Sequence, residues 1–289
     1  MSILIAKFKP LLLKVKPLLT LAVGFLAALG VLSLTHLGPA QAQSPGVNLA
    51  ALVARLNADD AKIADLQAKT APITTTGDAA LGYLVTIARA NVQIVDGTGA
   101  TGSTSGLGNL VIGYNALGNS RGAGDVRTGS HNLILGDRNN YSSFGGLVVG
   151  TDNIISGQYA SVSGGVNNKA SGDYASVSGG YYNTASGFSS SVSGGAANTA
   201  SGFYASVSGG EFNVANGDAA SVSGGYSNTA SGQVTSISGG SGNTASAFYA
   251  SVSGGSGNTV SGQYASISGG NGLTQSNNYG WTGGIYQSH

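Results

Sequence analysis

Ser161-Val162-Ser163-Gly164-Gly165-Val166-Asn167-Asn168-Lys169-Ala170-Ser171-Gly172-Asp173-Tyr174-Ala175 is one unit of a pattern that this chain repeats without a slip. Its opening pentapeptide, Ser-(Val/Ile)-Ser-Gly-Gly, begins at Ser161, Ser176, Ser191, Ser206, Ser221, Ser236, Ser251 and Ser266, always 15 residues on. A fixed period held this long marks a solenoid and not a globular enzyme domain. Ala175, Val177 and Gly179 share one face and Tyr174, Ser176 and Ser178 the other, the period of a strand. Three glycines in a typical unit, each costing about 1 kcal/mol in a helix interior, exclude helix. The repeat is β.

The columns of the repeat separate what the fold needs from what it leaves free. The second place is always β-branched (Val162, Val177, Val192, Val207, Val222, Ile237, Val252, Ile267) and is expected to be the core. The invariant Gly-Gly marks a turn that needs positive φ or close backbone approach. Asn168, Asn183, Asn198, Asn213, Asn228, Asn243 and Asn258 form a second unbroken column, expected as a stacked ladder at a turn. The two places after Gly-Gly and the two before Ala vary and are expected to face water. One valine per coil buries little surface against the cost of ordering fifteen residues, so lateral association of chains is expected.

The 15-residue unit, with Ala-Ser-Gly before a short Ser-Val strand and Gly after it, resembles the head repeats of YadA-like trimeric autotransporter adhesins. Leu110-Val111-Ile112-Gly113, Leu133-Ile134-Leu135-Gly136 and Leu147-Val148-Val149-Gly150 are closer still to that pattern. The resemblance covers about residues 109–270 and implies a left-handed parallel β-roll of 14–15-residue coils, three chains side by side. Two departures stand out: serines replace the apolar flanks in the later units, and the family's C-terminal membrane barrel has no counterpart before His289.

The remaining chain divides around this array. Residues 1–42 read as an export signal, with Lys7, Lys9, Lys14 and Lys16 before an apolar run and Ala40-Gln41-Ala42 as the cleavage site. An uncleaved anchor is the rival reading. Residues 43–73 are expected as a coiled-coil stalk: Leu49, Leu52, Leu56, Ile63, Leu66 and Ile73 fall on a/d positions over 48–73, and Ala71-Pro72 ends the helix. Residues 74–108 are a β connector with strands at Tyr83-Leu84-Val85-Thr86-Ile87 and Val92-Gln93-Ile94-Val95. Residues 109–160 are degenerate coils, with 115–130, holding Arg121, Asp125 and Arg127, as a protruding loop. Residues 271–289 are an irregular tail or cap around Trp281.

Composition limits the chemistry. Removing residues 1–42 takes four lysines and no acid, leaving eight bases against eleven acids, no surface for nucleic acid or an anionic membrane. Membrane contact is expected only through the N-terminal segment if uncleaved. There is no cysteine, hence no disulfide and no thiolate chemistry. His36, His131 and His289 are scattered, so no metal site or triad is expected, and no cofactor motif is present. Gly239-Gly240-Ser241-Gly242-Asn243 lacks the period and the Asp of calcium nonapeptides.

The reading that follows is a non-enzymatic, exported, adhesin-like fibrous protein. A subunit of an extracellular filament or sheath is the alternative, and ice binding through the serine rows a third possibility. Specificity would sit at the variable places, where Tyr159, Tyr174, Tyr181, Tyr182, Phe203, Tyr204, Phe212, Tyr249 and Tyr264 gather as the candidate contact surface. The alternative for the tyrosine column is that it stacks on itself or between protomers.

Overall fold

A computed structural model describes residues 49–78, 82–121 and 124–284; the expected export signal lies outside them. The described residues fall into two compact units divided after Asn91.

The first unit is a helix and a hairpin. Helix α1 spans Leu49–Thr70, where alanines and long side chains favour helix and no glycine or proline intervenes. Lys62 reaches Asp59 at 3.4 Å and Lys69 reaches Asp65 at 2.7 Å along its exposed surface. Pro72 lacks the amide needed to continue, and the chain leaves the helix there. Strands β1 (Ile73–Asp78) and β2 (Gly82–Ile87) then pair antiparallel, Ile73 opposite Ile87. Leu56, Ile63 and Leu66 are 53%, 48% and 59% exposed, and Ile73, Leu84, Val85 and Ile87 are exposed too. A two-stranded hairpin is marginal by itself, so this unit carries apolar surface that it does not cover. No helix among the described residues is long and apolar enough to cross a membrane. Val92-Gln93-Ile94-Val95, expected as a strand, is irregular. Its alternation is strand-like, but no ladder partner completes it.

The second unit is a parallel β-solenoid. Strand β3 (Leu110–Ile112) pairs with β4 (Leu133–Asp137), and β4 with β6 (Leu147–Thr151). The Ser-Val pairs of every later coil continue this ladder, giving a first sheet of 12 strands. Strand β5 (Asn140–Tyr141) pairs with β7 (Ile154–Ile155), and the pairs Lys169–Ala170, Thr184–Ala185 and onward follow, giving a second sheet of 10. From Ser161 on every strand meets the next coil in register, Ser176 on Ser191 and Thr184 on Thr199, because the 15-residue period never changes; the earlier coils keep register at other steps, Leu133 on Leu147 and Leu147 on Ser161.

The core is wider than one valine per coil. The Val/Ile column is buried as expected, but Ala160, Ala175, Ala205, Ala220, Ala250 and Ala265 form a second buried column and Ala170, Ala185, Ala200, Ala215, Ala230 and Ala245 a third. Where Ser190 and Thr235 replace alanine, their hydroxyls donate to Gly187 O and Gly232 O at 2.8 Å, so no buried donor is lost. The periodic coil also runs past residue 270. Thr274–Gln275 and Trp281–Thr282 pair in register with the preceding coil, so the expected irregular tail is a further coil through Thr282. Backbone ladders do not require the consensus side chains, which is why Leu273 and Gln275 can stand in the asparagine and alanine columns.

The glycines divide by job. The second of each pair holds positive φ, +83° at Gly195, and a Cβ there would strike the Gly210 carbonyl of the next coil. At Gly194 a Cβ would meet nothing within 4 Å. The third glycine of the unit, such as Gly187, has its next-coil carbonyl in the way instead.

Candidate functional surface

Each coil turns twice, and both turns use residues at positive φ. At the first turn Asn167, Tyr182, Ala197, Phe212 and Ser227 sit at φ 52–58°. The asparagine column follows immediately and is fully buried. Asn198 donates from Nδ2 to Gly194 O at 3.0 Å and Gly210 O at 2.8 Å, while its Oδ1 accepts the Asn213 amide at 2.9 Å. The same set recurs from coil to coil. The left-handed residue is therefore the one before each asparagine, and the asparagine itself is committed to the backbone. The ladder starts earlier than the repeat: Asn115 Oδ1 accepts from Asn139, Asn139 from Asn153, and Asn153 from Asn168.

At the second turn the tyrosine column itself takes the left-handed position. Tyr159, Tyr174, Tyr204, Tyr249, Tyr264 and Tyr279 lie at φ 55–59°. Each donates its amide to the coil before, Tyr174 to Gln158 O at 2.8 Å and Tyr279 to Gln263 O at 2.8 Å. This fixes the direction in which the rings leave the backbone, and they stack. Tyr159 and Tyr174 are 5.5 Å apart and 14° from parallel, and Tyr264 and Tyr279 are 5.0 Å apart and 3° from parallel.

The nine expected contact residues do not form one surface. Tyr159, Tyr174, Phe203, Tyr204, Tyr249 and Tyr264 line the second turn, whereas Tyr181, Tyr182 and Phe212 line the first. All nine are between 39% and 63% exposed, so each ring keeps one side open while packing on a neighbour. The second-turn row includes rings outside the expected set. Phe144 and Phe188 extend it edge-on against Tyr159 and Tyr174, and Phe248 packs on Tyr249. Phe188, Phe203 and Phe248 share the place just before the tyrosine column, a register that the repeat itself displays. Ala219 and Val234 interrupt the row.

The expected protruding loop lies against the solenoid instead. Arg121 donates to Thr184 Oγ1 at 2.7 Å and Asn183 O at 3.4 Å, and its guanidinium sits 5.4 Å from the centre of the Tyr182 ring. Ser120 donates its amide to Asp152 at 2.9 Å and its hydroxyl to Asn167 at 3.1 Å. Arg138 grips Asp152 through Nε at 3.0 Å and an Nη at 2.8 Å. That pairing holds the Asp152 carboxyl below the usual carboxylate range, helped by the Ser120 contact. Polar anchors along the coils bind this segment as a strap.

His131 meets Asp96 in a recess lined by Ile94, Val95 and Thr101. The Asp96 amide donates to His131 Nε2 at 3.3 Å, leaving Nδ1 to donate to Thr101 O at 3.1 Å. Asp96 accepts from the Thr98 hydroxyl at 2.7 Å, the Ser105 hydroxyl at 2.9 Å and the Ser103 hydroxyl. Ser, His and Asp are thus gathered, but the serines donate to the carboxylate and neither hydrogen-bonds the imidazole, unlike a nucleophile beside its base. Among the described residues, no group of three or more His, Asp or Glu lies close enough to hold a metal ion.

The outer face of the first sheet changes along the solenoid. In register, Leu110, Leu133 and Leu147 precede Ser161 in one column, and Ile112, Leu135 and Val149 stand in the column two residues on. Leu110, Ile112 and Leu133 are exposed. Apolar side chains cover this face in the first three coils and serine hydroxyls from Ser161 to Ser268, before Trp281 ends the column.

No protein-family model matches this chain, and no curated protein matches it.

Proposed function

We propose that the protein is an exported, non-enzymatic surface protein of adhesin-like build. Three chains associate through a coiled coil of α1 and through the first sheet of a left-handed β-roll, and the aromatic rows face outward for attachment. The observation that carries this reading is uncovered apolar surface at the N-terminal side of the array: Leu56, Ile63 and Leu66 on α1, and Leu110, Ile112 and Leu133 on the outer face of the first sheet. Surface of this kind is stable in water only when something covers it, and a repeated chain covers it best with copies of itself. Export rests on the n-region, apolar run and Ala40-Gln41-Ala42 of residues 1–42.

The far end of the solenoid favours discrete particles over an endless filament. Leu273 takes the Asn258 Oδ1 through its amide at 2.9 Å but has no side-chain amide to pass on, and Gln275 fills the core column, bonded to Thr282 Oγ1 at 2.7 Å. A further chain stacked there would find the backbone edge of Trp281–Thr282 but no asparagine ladder and no alanine column to continue.

Light scattering on the purified protein tests the assembly: a mass three times that of the chain is expected, and Leu133→Asp with Leu135→Asp lowers it. A stable monomer overturns the trimer. Electron microscopy then separates short uniform particles from long fibres.

A further inference from the structure

The reading of the serine rows as a lattice-matching face suffers from the missing methyl group of serine. The second sheet carries what the first lacks. Thr184, Thr199, Val214, Thr229, Thr244, Thr259 and Thr274 form one outward column, each paired in register with the next. Ser186, Ser201, Asn216, Ser231, Ser246, Ser261 and Ser276 form a second outward column two residues on, with buried alanine between the two in most coils. Rungs follow one another at about 4.8 Å and the two columns stand about 6.6 Å apart, so the face is a two-dimensional grid.

Four properties of this grid identify its ligand. Its ladder bonds are uniform, with the amides of Thr184, Thr199, Thr229, Thr244 and Thr259 all at 2.8 Å from their acceptors, so the spacing does not drift. Threonine is stiff at χ1, which fixes methyl and hydroxyl alike from rung to rung. Among the described residues the hydroxyls of Thr199, Thr229, Thr244, Thr259 and Thr274 have no hydrogen-bond partner, whereas the Thr184 hydroxyl is taken by Arg121 of the strap and the Ser246 hydroxyl donates to Val260 O at 3.3 Å. From Thr199 to Ser276 neither column contains an ionisable or aromatic side chain.

A protein partner would find none of the aromatic or arginine anchors that carry binding energy. A polysaccharide would find no ring to stack on, since the aromatic rows lie at the turns. A neutral periodic lattice of hydrogen-bond donors and acceptors matches a neutral grid whose threonine hydroxyls are free, interrupted only at Val214 and Asn216, with the methyls ordering the water between them. We infer that the outer face of the second sheet, from Thr199 to Ser276, binds ice. The inference does not rest on the attachment role.

Purified protein in a nanolitre osmometer tests it, with ice as the probe. Wild type is expected to facet ice crystals and to open a gap between melting and freezing. Thr229→Tyr with Thr244→Tyr, which raises two rungs above the grid, abolishes both effects. Thr229→Ser with Thr244→Ser, a milder change that keeps the hydroxyls and removes the methyls, lowers the gap severalfold. Ser241→Tyr with Ser256→Tyr at the first turn, a column that already holds Tyr181 and Tyr226, leaves it unchanged. Circular dichroism melts confirm that each variant is folded. A folded wild type that leaves ice unshaped overturns the inference, and so does activity that survives the threonine changes or is lost only with the serine ones.

Discussion

Tyr249 and Tyr264, fifteen residues apart in sequence, stack with ring centroids 5.2 Å apart and planes 8° from parallel, each on a backbone at positive φ. A left-handed backbone costs a non-glycine residue about 1–2 kcal/mol, and a ring pair returns about 0.5–1.5 kcal/mol. The two roughly cancel, so stability does not explain why tyrosine occupies so many of these turns. Replacing Tyr174, Tyr204 and Tyr249 together by Asn, which tolerates this backbone, is expected to leave the melting temperature and the assembly mass nearly unchanged while attachment to glycan or matrix surfaces falls. Dissociation or a much lower melt would assign the rings to the fold.

Val234 holds φ 58° with a branched Cβ and no ring to stack. Val234→Asn is expected to raise stability by about 1 kcal/mol, because asparagine accepts the left-handed region. Chemical denaturation of the two proteins side by side measures it.

Asn198 bonds three backbone groups of two adjacent coils from a fully buried site. Asn198→Ala leaves buried partners unmatched and is expected to cost about 2–5 kcal/mol. Asn198→Asp is expected to be worse, since a carboxylate cannot donate to Gly194 O and Gly210 O. Because each coil touches only its neighbours, hydrogen exchange should quicken around the lesion first. Uniform exchange along the array would contradict a nearest-neighbour ladder.

The two glycines of one pair should behave differently. Gly194→Ala is expected to change stability by less than about 0.5 kcal/mol, as at an ordinary surface site. Gly195→Ala combines positive φ with a clash against Gly210 O and is expected to lower the melt sharply. The structure offers no steric reason for glycine at 194.

The strap has an acid limit. The Arg138 pairing depresses the folded-state pKa of Asp152, so its stabilising contribution is complete above the usual carboxylate range and is lost as pH falls through the depressed value. Limited proteolysis of the strap is therefore expected to accelerate only in strong acid, and Asp152→Asn to make cleavage equally fast at neutral pH. Cleavage of the wild type that does not change with pH would show that Asp152 is not the anchor.

The period by itself determined the parallel in-register stack, because a strand that recurs every fifteen residues brings Val177 over Val162 and Asn183 over Asn168 without further instruction. It also revealed the buried Val/Ile column and the asparagine ladder from Asn168 to Asn258, while the apolar spacing before Pro72 revealed the helix that stops there. What it could not reveal depends on where the chain lies in space. Arg121 reaches Thr184 across 63 positions of sequence, and no local pattern encodes that contact. The alanine columns carry no strong hydrophobic signal in the sequence, yet the fold buries them, and Ile155 and Val260 fill the same place in other coils. The last coil looked irregular because its side chains abandon the consensus, although backbone pairing carries it on through Thr282. The aromatic places looked like one surface in the alignment of repeats. Two turns at opposite ends of the Thr-Ala strand separate them into two rows, and only the fold shows that the face between them carries the threonines.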